Sequence, residues 1–256
     1  MEILILRLQA PLMSFGAPIV DNYGKIQAYP ALSMMTGLLG NALGFDHSDF
    51  TKLQGLQERL RYASRQDKAG QFIQDFQTVD ISKPHMRAYK EGYEVKSRAW
   101  TTRGKLENRT RDDNKGENGP LLRYRDYRAD AIHTIALTLQ PKDESPTLDD
   151  LAMALKQPER PLFIGRKTCL PSSPLLADSI QAENLTEALR QTPLAQKADQ
   201  RERYPAWWPV DRNQDQPKAE IKKPVTDQRD WANQIHVGER WIARGEIEIE
   251  TQEVSS

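Results

Sequence analysis

Cysteine occurs once in the 256 residues, at position 169, so no internal disulfide can form. A single thiol and four scattered histidines do not supply the clustered ligands of a structural zinc site. No apolar run approaches the ~20 residues that a membrane-spanning helix needs. The first seven residues, Met1 to Arg7, lack the basic start and small-residue cleavage site of a secretory signal. These absences predict a cytoplasmic protein with no membrane contact, no metal and no cofactor. Internal repeats and low-complexity tracts are also missing, as is an excess of charge of either sign, since 36 Lys and Arg balance 36 Asp and Glu.

That balance is made of unequal parts. Residues 1–82 carry 7 basic and 8 acidic groups, residues 83–128 carry 13 and 7, and residues 129–256 carry 16 and 21. A cationic segment in a neutral chain points either to a polyanionic partner or to a solvated loop.

Hydrophobic patterning predicts the elements around this segment. Ile3 to Gln9 is a short apolar run stopped by Pro11 and reads as a buried strand. Ser33 is placed to cap a helix running through Met34, Met35, Leu38, Leu39 and Leu43 to Gly44. Gly37 and Gly40 inside that helix suit a close approach of its backbone to the sheet beneath or to a ligand above. Arg59–Arg65 alternates as a strand, with Phe72–Val79 as its hairpin partner across Gly70. Residues 82–128 show no sustained period, and so long a stretch inside a domain is commonly functional or disordered. Ala131–Leu139 is the clearest strand, Thr147 caps a helix to Leu155, and Pro161–Gly165 reads as another short strand. Residues 197–230 read as a polar, Pro-rich loop anchored by Trp207 and Trp208, followed by a small closing sheet.

Without the insertion, this order approximates an α+β, ferredoxin-like arrangement, an architecture that RNA-recognition modules share. The predicted division is a domain over 1–196 with an insertion at about 82–128, and a Trp-containing loop with closing strands over 197–256. The insertion interleaves Lys96, Arg98, Arg103, Arg123 and Arg125 with Tyr89, Tyr93, Trp100 and Tyr124. Cations neutralise phosphates, and aromatic rings stack on unpaired bases.

Four segments together carry a family resemblance. They are Leu6–Gly16 (LRLQAPLMSFG), Tyr29–Gly44, Arg125–Ala131 (RDYRADA) and Phe163–Pro171 (FIGRKTCLP), with Asp75–Val79 (DFQTV) as a lesser element. In their order and separation they resemble the CasD family of type I-E CRISPR surveillance complexes (Cascade), within the repeat-associated RAMP superfamily. Leu32 stands where that family has a basic residue, Met34 where it has glycine, and Phe15 where it has tryptophan.

The resemblance implies a RAMP domain with a ferredoxin-like body and a thumb at about 82–128. It implies a subunit that grips the five-prime handle of the CRISPR RNA, docks on the backbone subunit CasC and the large subunit CasA, and meets target DNA only through the guide. Lys96, Ser97 and Arg98 are the expected backbone contacts, together with Arg103, Arg123 and Arg125, although Arg125 could instead pair with Asp130. Free N–H groups at Ser33, Thr36 and Gly37 offer a phosphate seat at a helix start, against a reading of plain helix packing. Arg166 and Lys167, adjacent cations after a strand, are a further phosphate candidate or a surface pair. Trp207 and Trp208 are the expected protein interface. Cys169 reads as a buried residue, and His133 as a core or interface residue rather than a catalyst. The enzymatic alternative is a metal-independent endoribonuclease using His85, Tyr89 and Lys90 as candidate catalysts, with the chain otherwise expected not to be an enzyme.

Overall fold

The computed structural model describes residues 1–17, 19, 22–79, 99–100, 106–107, 121–210 and 218–249. In chain order the elements begin with β1 (Glu2–Gln9), β2 (Leu12–Met13), β3 (Tyr23–Gly24), α1 (Leu32–Ala42), α2 (Phe50–Arg59), β4 (Leu60–Lys68) and β5 (Gln71–Val79). Next come β6 (Ala99–Trp100), β7 (Leu106–Glu107), β8 (Leu121–Ala129), β9 (Ile132–Leu139), α3 (Leu148–Lys156), β10 (Leu176–Gln181) and α4 (Leu185–Gln191). The chain continues through β11 (Tyr204–Pro209), β12 (Ile221–Val225), β13 (Gln228–Asp230), β14 (Ile235–Val237) and β15 (Arg240–Ile247). It divides into two compact units, one of residues 1–17, 26–73 and 127–256, the other of residues 18–25 and 74–126.

The first unit is mixed α+β, built on an antiparallel seven-stranded sheet ordered β10-β1-β9-β4-β11-β15-β12. Strand alternation sends Leu4, Leu6, Leu8, Tyr62, Ile135 and Leu137 to one face, where α1, α2 and α3 cover them. Ile3, Ile5, Ala63, Ala136, Ala206, Trp208 and Ala243 point the other way, against Leu185, Ala188 and Leu189 of α4. β9 lies between two strands and between two layers, so all eight of its residues are buried. Its apolar character, interrupted only by His133, Thr134 and Thr138, follows from that position. α3 begins as expected, with a capping box in which Thr147 Oγ1 accepts from Asp150 N–H and the Asp150 carboxylate accepts from Thr147 N–H. α1 ends in a Schellman motif: Phe45 N–H donates to Gly40 O, Gly44 N–H to Asn41 O, and Gly44 takes φ +79°.

A buried charge cluster fastens α4 to its face. Arg65, whose side chain is 0% exposed, donates Nε–H to Asp67 Oδ1 at 2.6 Å. Its other nitrogens donate to the carbonyls of Leu189, Thr192 and Pro193 at and after the end of α4. Asp67 also accepts from Thr134 Oγ1 at 2.7 Å and from Arg7. The guanidinium thus meets helix-end carbonyls that have no intrahelical donor, where a cation is favoured.

Several elements depart from the sequence reading. β5 follows β4 across Gly70 but pairs with β8, not with β4. β4 instead lies between β9 and β11, and a Cβ at Gly70 would stand 2.4 Å from Ala129 O. Pro161–Gly165 is a loop, not a strand. The expected polar loop contains β11, inside the main sheet, and the C-terminal strands β12 and β15 extend that sheet rather than forming a small one of their own. The helices α2 and α4 and the strand β10 add to the elements expected from patterning. The two tryptophans are core residues, 7% and 1% exposed, not an exposed interface. Sheet alternation puts Trp207 against Tyr29 on one face and Trp208 in the α4 layer on the other.

His133 lies in the core as expected, 1% exposed, with Nδ1 3.2 Å from Ser64 Oγ and the Phe15 ring edge-on at 5.0 Å. Burial pushes its pKa down to about 4.

Replacing Asp67 by Asn leaves buried Arg65 without its counter-charge. It is expected to lower the unfolding free energy by about 3–5 kcal/mol in denaturant titrations. The second expectation concerns acid. In the unfolded chain His133 protonates below its ordinary pKa of 6.5, whereas in the fold it stays neutral to about 4. Stability therefore falls as pH drops from 6.5 to 4, by at most about 1.4 kcal/mol per pH unit from this group. His133→Gln should flatten that part of the stability-against-pH curve.

Candidate nucleic-acid interface

The start of α1 is the first candidate phosphate seat. The helix begins at Leu32, not after Ser33; Ala31 is its N-cap, and no side chain within the turn caps it. Its first donors are nonetheless used. Leu32 N–H donates to Asp227 Oδ2 at 3.0 Å, and Ser33 N–H donates to the Asp227 carbonyl at 2.9 Å. Asp227 is held in turn by Arg240, whose Nε and Nη2 donate to its two carboxylate oxygens at 2.7 and 2.6 Å. Arg240 Nη2 also donates to Tyr62 Oη at 2.8 Å, and Tyr62 donates to Pro30 O at 2.5 Å. Burial pushes the Tyr62 phenol pKa up, so the hydroxyl stays protonated and can make that last bond.

A carboxylate from the chain therefore stands where a phosphate was expected. Thr36 is fully buried and returns its hydroxyl to Leu32 O at 2.9 Å. Gly37 faces the Trp231 ring, which a Cβ would meet at 3.7 Å, and Gly40 admits Leu53 of α2 so closely that a Cβ would stand 2.6 Å from its Cδ2. The helix glycines serve packing against α2 and Trp231. Of the three candidates here only Ser33 keeps a half-exposed side chain that is not committed to the core.

The basic pair after the 161–165 segment is presented on a braced corner. Ile164 N–H donates to Cys169 O at 2.7 Å and Cys169 N–H to Arg166 O at 2.8 Å. Ile164 and Cys169 are both fully buried, so the two ends of the loop are anchored. Cys169 is a free, buried thiol, and burial pushes its pKa up. Gly165 adopts φ +90°, and any Cβ there would collide with Ser14 O. Between these anchors Lys167 and Thr168 are exposed, and the Arg166 guanidinium lies 4.7 Å from the centre of the Tyr127 ring. That cation–π contact holds Arg166 flat.

In the second unit, Arg123 and Arg125 stand on β8, two apart and therefore on one face of the strand, with Arg125 exposed. Asp130, the carboxylate that the sequence offered to Arg125, is paired with Lys68. Lys96, Ser97, Arg98 and Arg103 lie outside the described residues, as do His85, Tyr89 and Lys90 and most of the expected thumb. Among the described residues, no group of three or more His, Cys, Asp or Glu is placed to hold a metal ion, and no helix is long and apolar enough to cross a membrane.

Known proteins share this fold. A CRISPR RNA-guided surveillance complex contains a chain of similar fold, with a TM-score of 0.64 and 21% identity, covering 96% of this chain and 90% of the other. A crystal structure of a Cas protein aligns with a TM-score of 0.60 and 23% identity over 96% and 95%. The Cascade subunit CasD of Escherichia coli (strain K12) is 29% identical over 188 residues, which is 73% of this chain and 75% of CasD. The family described as CRISPR-associated protein (Cas_Cas5) matches residues 3–243. That match spans nearly the whole sequence, and the chain belongs to this family of CRISPR-associated proteins.

Proposed function

We propose that this chain is a non-catalytic, CRISPR-RNA-binding subunit of a type I-E Cascade complex, acting in antiviral defence in the cytoplasm. The observation that carries the reading is the family match over residues 3–243, with Cascade subunit CasD as a relative over three quarters of its own length. The sheet supports it. β1, α1, β4, β9, α3 and β10 follow in that order, and the four strands lie β10-β1-β9-β4. This order supports reading the unit as a ferredoxin-like domain, the body expected for a RAMP protein.

On this reading the subunit holds the five-prime handle of the guide and caps the filament formed by CasC beside CasA. Residues at about 82–128 form the thumb, with Lys96, Ser97, Arg98 and Arg103 among its RNA-binding groups. Exposed Arg125 and the braced Arg166–Lys167 corner bind further phosphates, since both present cations from well-anchored backbone. Target DNA is read by pairing with the guide and not by this chain. At the α1 start Asp227 takes the first two N–H groups, so a phosphate there would meet Ser33 and the remaining donors only.

The test uses the purified chain and a labelled repeat RNA without metal, with a denaturing gel beside a salt titration of binding. The RNA should stay intact and affinity should fall steeply with salt. Arg125→Glu and Lys167→Glu should each weaken binding and reduce the log–log salt slope by about 0.7 for every phosphate that is no longer neutralised. A discrete cut ending in a 2′,3′-cyclic phosphate would overturn the non-catalytic reading in favour of an endoribonuclease, with His85 the first residue to replace.

A further inference from the structure

The second unit holds a surface that phosphate neutralisation alone does not use. β3 pairs in parallel with β8, which sets Tyr23 beside Tyr124 and Gly24 beside Arg125. The two tyrosine rings stack, with centroids 4.7 Å apart and planes 11° from parallel. Phe76 of β5 meets the same Tyr124 ring at 5.2 Å. Two residues further along β8, Asp126 accepts from Gln74 Nε2 at 2.9 Å and pairs with Lys25 Nζ at 3.5 Å. Period-two alternation places all six residues on one face, as an aromatic row (Phe76, Tyr124, Tyr23) beside a polar row (Gln74, Asp126, Lys25). Arg123 and Arg125 alternate to the opposite face of β8.

Cross-strand aromatic pairs ordinarily stabilise a sheet by burying one another. Here the two outer residues remain exposed all the same: Phe76 is 53% exposed and Tyr23 is 42% exposed. Exposed aromatic surface of this kind marks a binding site more often than a packing site. Lys25 stands at the end of the row, its side chain 57% exposed and its ammonium 5.2 Å from the Tyr23 ring centre. The two tyrosine rings turn one face to each other and Lys25 lies over Tyr23, so the row offers the exposed Phe76 ring and the outer edge of the tyrosine stack, with a cation beside them, to an unpaired base and its adjoining phosphate.

We infer that the Phe76–Tyr124–Tyr23 row is a stacking platform for one or two unpaired bases of a single-stranded RNA, with Lys25 meeting a neighbouring phosphate. This rests on the RNA-binding role proposed above and assigns a base-stacking surface to it. Stacking favours the larger purine face and needs no base-edge hydrogen bond, so the platform tolerates sequence while rejecting a strand without bases. Asp126 is 2% exposed, and its bonds to Gln74 and Lys25 hold the polar row in place.

The experiment measures binding of the full chain to three labelled strands of equal length and charge: oligo(rA), oligo(rU) and an abasic ribose-phosphate strand. Oligo(rA) should bind about 10-fold or more tighter than the abasic strand, with oligo(rU) between them. Tyr23→Leu combined with Phe76→Leu should remove this preference and leave the salt slope unchanged, whereas Tyr23→Phe should retain it. Equal affinity for oligo(rA) and the abasic strand, with steep salt dependence, would overturn the platform and leave the phosphate-binding role standing. That comparison uses the unaltered chain, so it decides the matter even if the double variant does not fold. A double variant that folds and keeps the full base preference would also overturn the platform. Loss of all RNA binding at low salt would overturn both readings together.

Discussion

The carboxylate of Asp227 joins three parts of the chain that are far apart in sequence. It receives the first N–H of α1, it is gripped by Arg240 of β15, and through Arg240 it reaches Tyr62 of β4. At 2% exposure it has little water to solvate it, so its charge is tolerable only because donors surround it. A helix N-terminus and a guanidinium are two such donors, and each gains a partner it would otherwise lack. The position of α1, the register of the C-terminal strands and the environment of Tyr29 beside Trp207 all depend on this junction.

The same arrangement changes how charge along the sequence should be counted. Arg7, Arg59, Arg65 and Arg240 are committed to carbonyls and carboxylates inside the first unit. Among the described candidate RNA-binding residues, the exposed cations are Arg125 and Lys167. Local net charge therefore describes the surface poorly in an arginine-stapled fold.

Elements governed by local signals were legible in the sequence. β1 and β9 are rich in apolar residues, α3 carries its own capping box, and Gly44 ends α1 through a motif written within six residues. Features fixed by distant partners were not legible. Asp227 lies 195 residues from the helix it caps, and nothing near Ser33 announces it. β11 was hidden by Pro205 and Pro209, residues that argue against a central strand. Only Ala206 and Trp207 pair with β4, which leaves both prolines off that ladder. The expected β4–β5 hairpin failed because β9 and β11 take both edges of β4. For the candidate site, Arg166–Lys167 was visible as adjacent cations, but the loop closure that presents them was not. The Tyr23–Tyr124 stack was invisible because the two residues are a hundred positions apart and meet through a two-residue parallel strand.

The distance between α1 and its cap also has a temporal side. A ribosome completes α1 long before Asp227 and Arg240 exist, so the nascent helix begins with bare N–H groups and rests on a sheet still missing β11, β15 and β12. The N-terminal half can collapse early, but its helix start, its Tyr62 and the far edge of its sheet are finished only when the last tenth or so of the chain arrives. Asp227 and the β12–β15 pair thus work as a late latch on the first-made part of the protein.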